Sequence, residues 1–340
     1  MLVIRPIRAS DFDALMLCAE ESGHGFTSLP VDADLLQGRI NNSLESFAKQ
    51  VTSPGMEGYL MVAEDTETGE VAGTTGIEAA IGLDNPFYSY HLTKVVHSSR
   101  KLNVHNIVEV LTFGNNYTGA TEICTLFLRP EFRGGLNGKL LSKCRFLMLA
   151  EFPERFADVV FAEMRGVSDD DGNSPFWQWL KDNFFSIDFT LADYLTGIGA
   201  KGFIADLMPK LPIYVSLLSE EARAVIGQVH PKTRPALRLL EKEGFSCRGY
   251  VDIFDAGPTV ECLRHNIESV RHSFNATASV REHSSAQHYL ISNTDFAGFR
   301  ATAAKAALDP ETNHVVIAPE VAEALQVKDG DRLRLIAMEE

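Results

Sequence analysis

The stretch Leu126-Phe-Leu-Arg-Pro-Glu-Phe-Arg133-Gly-Gly-Leu-Asn-Gly138 lies between two regular segments and fixes how they connect. Before it runs the apolar, strand-like Glu122-Ile-Cys-Thr-Leu-Phe-Leu128. Behind it Leu140, Leu141, Cys144, Leu147 and Met148 recur at helical spacing. Strand, glycine-rich turn and helix therefore follow one another directly. A turn stripped of side chains presents successive backbone N–H groups, and the helix behind it adds its positive N-terminal end, so a pyrophosphate suits the place. Lys139, Lys143 and Arg145 follow on the helix, where a solvated face explains them as well as phosphate would.

Upstream, Leu2 to Ile4 reads as a short strand, and Ser10 with Asp13 resembles a capping box opening a helix with Phe12, Leu15, Met16 and Ala19. Leu36, Ile40, Leu44 and Phe47 predict a second amphipathic helix. Tyr59 to Ala63 and Val71 to Ile77 flank a turn-rich segment and read as an antiparallel hairpin. Residues 82–121 show weak periodicity and read as irregular strands and loops, apart from strand-like Ile107 to Phe113.

Downstream, Val159 to Ala162 is a buried strand. Residues 174–220 form an aromatic-rich helical stretch that includes Leu191 to Leu195 and Phe203 to Met208. Thr233 to Lys242 is a helix ending at Gly244, and Tyr250 to Phe254 is a strand. Residues 262–310 are polar and turn-rich. The tail at 314–336 reads as strand, short helix, turn and strand, similar to small β-barrel modules used in assembly.

The 340 residues, 45% of them hydrophobic, suffice for one main domain with a substantial appendage. A net charge of −15 argues against a broad nucleic-acid surface, which needs clustered Lys and Arg. Cys18, Cys124, Cys144, Cys247 and Cys262 lack a C-x-x-C pair, so reduced thiols are expected, with no zinc site or disulfide framework. No apolar run approaches a membrane span, and the opening Met1 to Pro6 carries no basic leader. A cytoplasmic protein without membrane or nucleic-acid partners is the expectation.

The turn from Arg133 resembles the R-x-x-G-x-G turn of the GNAT superfamily of N-acyltransferases, which holds acyl-CoA behind a strand. Arg133, Gly134 and Gly138 match, while Leu136 replaces the usual middle glycine. Val3 to Leu15 is similar to that superfamily's opening strand and helix, and Thr233 to Phe245 to its motif beside the pantetheine arm. Over essentially the full chain, Gly25-Phe-Thr-Ser-Leu-Pro30, Ser174-Pro-Phe-Trp177, Ala192-Asp-Tyr-Leu-Thr-Gly197, Gly227-Gln-Val-His-Pro231 and Asp252-Ile-Phe-Asp-Ala-Gly-Pro258 resemble the arginine N-succinyltransferase family.

That resemblance implies an α/β fold of the α+β kind, GNAT-like, with a mixed, mostly antiparallel sheet flanked by helices. An acyltransferase domain is expected over 1–260 with a helical insertion at about 166–220, and a small β-rich region over 261–340. The implied reaction moves succinyl from succinyl-CoA to the α-amine of L-arginine, with succinyl-CoA as co-substrate and no resident cofactor or metal. Leu126, Leu128, Arg133, Gly134, Gly135 and Gly138 are the implied CoA-binding positions. A related acyltransferase acting on ornithine or another amine, or a noncatalytic subunit paired with an active paralogue, stays open as an alternative. A homodimer or a pairing with a paralogous subunit is expected.

Where the second superfamily motif often carries a tyrosine that protonates the departing thiolate, this chain has Leu240. The resemblance gives that task to His230. Histidine exchanges a proton near neutral pH, and Pro231 favours an extended approach to the helix behind it. A histidine that only caps the helix is the plainer alternative. Glu163, Asp252 and Asp255 are candidates for a guanidinium, Arg165 for the succinyl carboxylate, and His24 for a substrate contact. Structural roles compete for each. Cys124 lacks an activating base and reads as core, so direct attack is preferred to an acyl-cysteine. Trp177, Trp179, Phe184 and Phe185 read as packing of the insertion.

Overall fold

The computed structural model describes residues 1–23, 29–169, 172–188, 191, 195 and 207–338. β1 (Leu2–Pro6) is buried over four consecutive residues, as a strand covered on both faces must be. A short turn leads into α1 (Phe12–Ser22), but the Ser10–Asp13 cap does not start it. Asp11 takes that place. Its carboxylate accepts the Arg8 amide at 2.7 Å and two bonds from the buried Arg5 guanidinium at 2.7 and 3.0 Å. A buried arginine requires such a partner, and meeting that need sets the turn. α2 (Ala33–Ala48) begins at Asp32, whose side chain accepts the Leu35 amide at 2.9 Å, and buries Leu36, Ile40 and Phe47 as its spacing predicts.

β2 (Gly58–Asp65) and β3 (Val71–Glu78) form the expected hairpin. β4 (Ser89–Ser99) and β5 (Val104–Gly114) form a second one, long and fully paired, where strand was expected only over Ile107 to Phe113 and irregular structure elsewhere. Its outer half is exposed, so no burial alternation marked it in the sequence, and cross-strand pairing holds it instead. β6 (Thr121–Leu128), α3 (Asn137–Glu151) and β7 (Val159–Glu163) realise the strand, turn and helix read from the sequence.

In the expected insertion, α4 (Pro175–Asn183) buries Phe176, Trp177 and Leu180 against Tyr90 and Phe254, and the Trp177 indole N–H donates to the Ile187 carbonyl at 2.9 Å. The segment is not wholly helical. β8 (Ile213–Tyr214) pairs with β5 before α5 (Glu220–Val225). His24, residues 192–194 and residues 203–206 lie outside the described residues, so the helices expected around Leu191–Leu195 and Phe203–Met208 do as well.

α6 (Arg234–Lys242) precedes β9 (Ser246–Val251) and β10 (Pro258–Leu263). β9 stops at Val251 rather than Phe254 because the Asp252 carboxylate accepts the Phe254 and Asp255 amides at 2.7 and 2.9 Å and turns the chain. β10 crosses the expected boundary at 260/261, and α7 (Glu268–His272) follows it. Ser269 N–H donates to the Glu243 carboxylate at 2.8 Å, which fastens that helix to the end of α6.

The remaining strands are β11 (Phe274–Val280), β12 (His288–Asn293), β13 (Ala301–Lys305), β14 (Ala307–Asp309), β15 (His314–Ile317) and β16 (Arg332–Ala337), with α8 (Pro319–Leu325) before the last. Residues 262–310 therefore carry four complete strands and the end of β10 between their turns. β11 and β13 bury mainly small residues, Ala276, Ala278, Ala301 and Ala304, so their apolar signal was weak, whereas β12 buries Tyr289, Leu290 and Ile291.

The described strands lie in one sheet, ordered β14-β15-β11-β16-β12-β13-β1-β2-β3-β6-β7-β10-β9-β4-β5-β8. Neighbours are antiparallel except β6–β7 and β11–β15. This is the mixed, mostly antiparallel α/β architecture expected. The C-terminal strands join the edge of the main sheet, with Val3 opposite Thr302 and the Thr302 hydroxyl donating to Leu2 O at 2.7 Å. On one face α3 packs Leu140, Leu141 and Leu147 over the sheet, and on the other α1 and α2 enclose Leu15, Leu36 and Val62.

Candidate active site

β6 and β7 run parallel but pair only at Thr121 with Val160 and Glu122 with Phe161. Beyond Glu122 they part, opening a V whose mouth lies at their C-terminal ends. On the opposite edge of β6, Thr74 faces Phe127 and Gly76 faces Cys124, so Thr125 and Leu126 share Thr75. This is a β-bulge, with Thr125 at φ +54°. Gly73 makes the close approach possible, because a Cβ there would stand 2.3 Å from Phe127 O. A parted strand pair and a bulge together disturb the ladder around Leu126, where amides can turn towards a bound carbonyl.

From β6 the chain enters the glycine turn. Gly134 and Gly135 have φ of +145° and +50°, conformations that disfavour side chains. Gly138 has neither a positive φ nor a neighbour within 4 Å of a Cβ. The folded chain therefore does not itself demand glycine at 138. Arg133 folds back, its Nε donating to Leu128 O at 2.9 Å and its guanidinium lying over the Phe127 ring. Leu126, Leu128 and Leu136 are half-buried against the core beneath α3. Of the cations on that helix, Lys143 pairs with Glu243 at 2.8 Å, and Arg145 is fully buried, its guanidinium on Ser142. Burial lowers the Arg145 pKa to about 10.

His230 stands at the mouth of the V. Its backbone N–H donates to Arg165 O at 2.8 Å, two residues past the end of β7, and Val229 bridges Gly166. The side chain is buried, and Nδ1 accepts the Lys232 amide at 3.2 Å. A neutral ring so held carries its proton on Nε2, the form that can donate. The capping alternative is thus real geometry, and it also fixes the tautomer a proton donor needs. Leu240, by contrast, is buried in the core.

The carboxylates singled out from sequence divide. Asp255 is buried and accepts the Gly166 and Gly257 amides at 2.6 and 2.8 Å, while Asp252 holds the turn described above. Burial, then the neighbouring Asp252 carboxylate, raises the Asp255 pKa well above its ordinary value. Both acids are committed to the fold and are not brought to the V as guanidinium ligands. Glu163 ends β7, and the Arg165 guanidinium donates to the Ser168 hydroxyl at 3.0 Å. Burial, then Glu122 and Glu78, push the Cys124 thiol far up, which disfavours a nucleophilic thiolate.

Sequence reading missed a cleft on the α2 side of the bulge. Arg39, Met56, Glu78, Asp84, Phe87 and Glu122 line a cavity of about 330 Å³. Arg39 also approaches the Thr125 hydroxyl at 3.4 Å. Glu78 and Glu122 are directly opposed across β3 and β6, with Arg39 on the wall of the same cavity. Only the register of the sheet brings these two together, so no local signal marked them.

The chain matches the family model described as arginine N-succinyltransferase beta subunit over residues 2–269, and the C-terminal domain of that subunit over 274–337. The chain belongs to the arginine N-succinyltransferase family. It is 46% identical over 340 residues to the arginine N-succinyltransferases of Salmonella schwarzengrund and Salmonella agona, with 99% of this chain and 98% of each relative covered. The solved structure of arginine/ornithine succinyltransferase subunit AI from Pseudomonas aeruginosa matches with a TM-score of 0.92 at 36% identity, covering 100% of this chain and 99% of that one. An arginine N-succinyltransferase family member is an acyl-CoA-dependent N-acyltransferase, and a CoA thioester is its co-substrate. Among the described residues no helix is long and apolar enough to cross a membrane.

Proposed function

We propose that the protein transfers succinyl from succinyl-CoA to the α-amine of L-arginine by direct attack, giving N2-succinyl-L-arginine and CoA. The observation that carries this reading is the V between β6 and β7, with the glycine turn at one strand end and His230 at the other. In this reading the turn from Arg133 to Gly138 takes the CoA pyrophosphate, and Leu126 and Leu128 flank the pantetheine and thioester.

The deprotonated arginine amine attacks the thioester carbonyl, and a tetrahedral oxyanion forms. An amide at the bulge, at or beside Leu126, donates to that oxyanion. On collapse the C–S bond breaks, and Nε2–H of His230 protonates the departing thiolate. The acidic wall of Glu78 and Glu122 faces the guanidinium. From Glu122 to Leu126 is four residues of strand, about 13 Å, a span an extended arginine covers with a hydrogen bond at each end. Ornithine fits the same wall less well, because an ammonium cannot make the planar two-pronged contact of a guanidinium.

The exposed outer half of the β4–β5 hairpin, with Val96, Leu102 and Ile107, supports pairing with a second copy or a paralogous subunit. A reducing cytoplasmic setting belongs to the same reading and is supported by the five free cysteines. Thiol release measured with purified protein, succinyl-CoA and arginine, ornithine or lysine tests the activity. Turnover greatest with arginine is expected, and none with any amine would overturn the reading.

A further inference from the structure

The turn between β9 and β10 is more tightly determined than a connection of its length requires. Ala256 is fully buried at φ +55°, a left-handed conformation costly for a residue with a Cβ. A Cβ on Gly257 would stand 2.2 Å from Met164 O, and one on Gly166 would stand 2.5 Å from the Asp255 carboxylate. Asp252 turns the chain from within, and its amide donates to Gly257 O at 2.9 Å. A strained alanine, a glycine that cannot carry a Cβ and two carboxylates, that of Asp255 buried, thus converge on the six residues 252–257, with Gly166 pressed against them. Such an arrangement persists where something must be held in place.

What it holds is the segment carrying His230. At one end, Gly227 N–H donates to Ala256 O at 2.8 Å. At the other, the Asp255 carboxylate grips Gly166 N–H at 2.6 Å, Gly166 bridges Val229, and Arg165 O receives His230 N–H. The four residues from Gly227 to His230 are fixed at both ends by the same turn.

We propose that Asp255 is a positioning residue for His230, acting through Gly166 and Arg165, an inference that rests on His230 being the proton donor. Asp255 touches neither substrate nor the reacting atoms. Its two oxygens accept two amides, and an asparagine of equal size would turn an NH2 group against one of them. Gly166 or Gly257 must then move, and His230 moves with the first.

The test is a double-mutant cycle with Asp255→Asn and His230→Ala, reading kcat, KM for arginine and succinyl-CoA, and direct succinyl-CoA binding. Asp255→Asn should lower kcat roughly 10- to 100-fold, the scale of a small misplacement, with succinyl-CoA binding within about twofold of wild type. In the His230→Ala background the same change should cost less than about twofold. An equal loss in both backgrounds, or no loss in the wild-type background, overturns the proposal. Ala256→Gly provides a second arm, because glycine accepts the left-handed conformation and leaves the fold intact while loosening the turn. It should also lower kcat only when His230 is present, and wild-type kcat for a folded Ala256→Gly protein counts against the platform. Full activity in His230→Ala alone would remove the proton-donor reading, an outcome distinct from additivity in the cycle.

Discussion

His230 and Arg165 are joined by a main-chain hydrogen bond of 2.8 Å, which links the candidate proton donor to the strand that forms one arm of the V. Because the bond is main chain to main chain, it survives His230→Ala. That variant should bind succinyl-CoA within a few-fold of wild type and lose about 100-fold or more in turnover, the range usual for removing a positioned proton donor. Stopped-time thiol release and calorimetric succinyl-CoA binding separate the two quantities. Turnover at the wild-type level would leave His230 as a helix cap.

Glycine substitutions at two positions should fail in different ways. At Gly138 a Cβ meets nothing, so Gly138→Val should fold normally and raise KM for succinyl-CoA about tenfold by obstructing the phosphates. At Gly73 a Cβ collides with Phe127 O, so Gly73→Ala should destabilise the protein by about 1–3 kcal/mol through forced backbone movement. Thermal melts and KM measured on both variants would expose a reversal of that pattern.

The opposed carboxylates of β3 and β6 should govern the amine and not the thioester. Glu78→Gln and Glu122→Gln are each expected to raise KM for arginine about tenfold or more while KM for succinyl-CoA stays within about twofold, in keeping with the strength of a charge-assisted bond. Unchanged arginine KM in both variants would place the guanidinium elsewhere.

Cys124 lies on the same strand as the bulge, with a thiol pushed far up by burial and by the nearby Glu122 and Glu78. Cys124→Ala should keep at least about half of wild-type turnover, since direct attack does not call on a thiolate. Loss of activity accompanied by loss of a mass-detectable succinyl adduct on the wild-type protein would instead indicate a covalent route.

Asp11 provides an acid-sensitive element. Burial works against its carboxylate, but the hydrogen bonds from Arg5 and the Arg8 amide outweigh that and hold its pKa below the ordinary aspartate value. A depressed folded-state pKa means the stabilisation is complete above the unfolded value near 3.8 and is lost as pH falls through the lower folded value. Asp11→Asn should therefore destabilise at neutral pH and flatten the fall in stability below about pH 4. Chemical denaturation at pH 7 and pH 3 reads both effects, and an unchanged acid slope would remove Asp11 from the account.

Elements with a marked period were legible from the sequence: α2 through Leu36, Ile40 and Phe47, and α3 with β6 around the glycine turn. The β4–β5 hairpin was legible only over Ile107 to Phe113, because its outer residues are exposed on both faces and alternate nothing. β11 and β13 escaped because Ala276, Ala278 and Ala301 fill their core positions, and alanine marks neither helix nor strand. For the site, Arg133 to Gly138 and His230 could be found as local features. The backbone bond of His230 to Arg165, the parting of β6 from β7 and the meeting of Glu78 with Glu122 depend on register between distant segments, which no window of sequence contains.

The pairing of β1 with β13 bears on how the molecule is made. The Thr302 hydroxyl reaches Leu2 O across a separation of 300 residues, so β1 gains this second neighbour only long after it is itself made. Contacts of such long range are slow to form, and during synthesis the free edge of β1 remains a template for any other strand nearby. A growing chain of this kind has β1 committed on one side and waiting on the other, until the residues around 302 have left the ribosome.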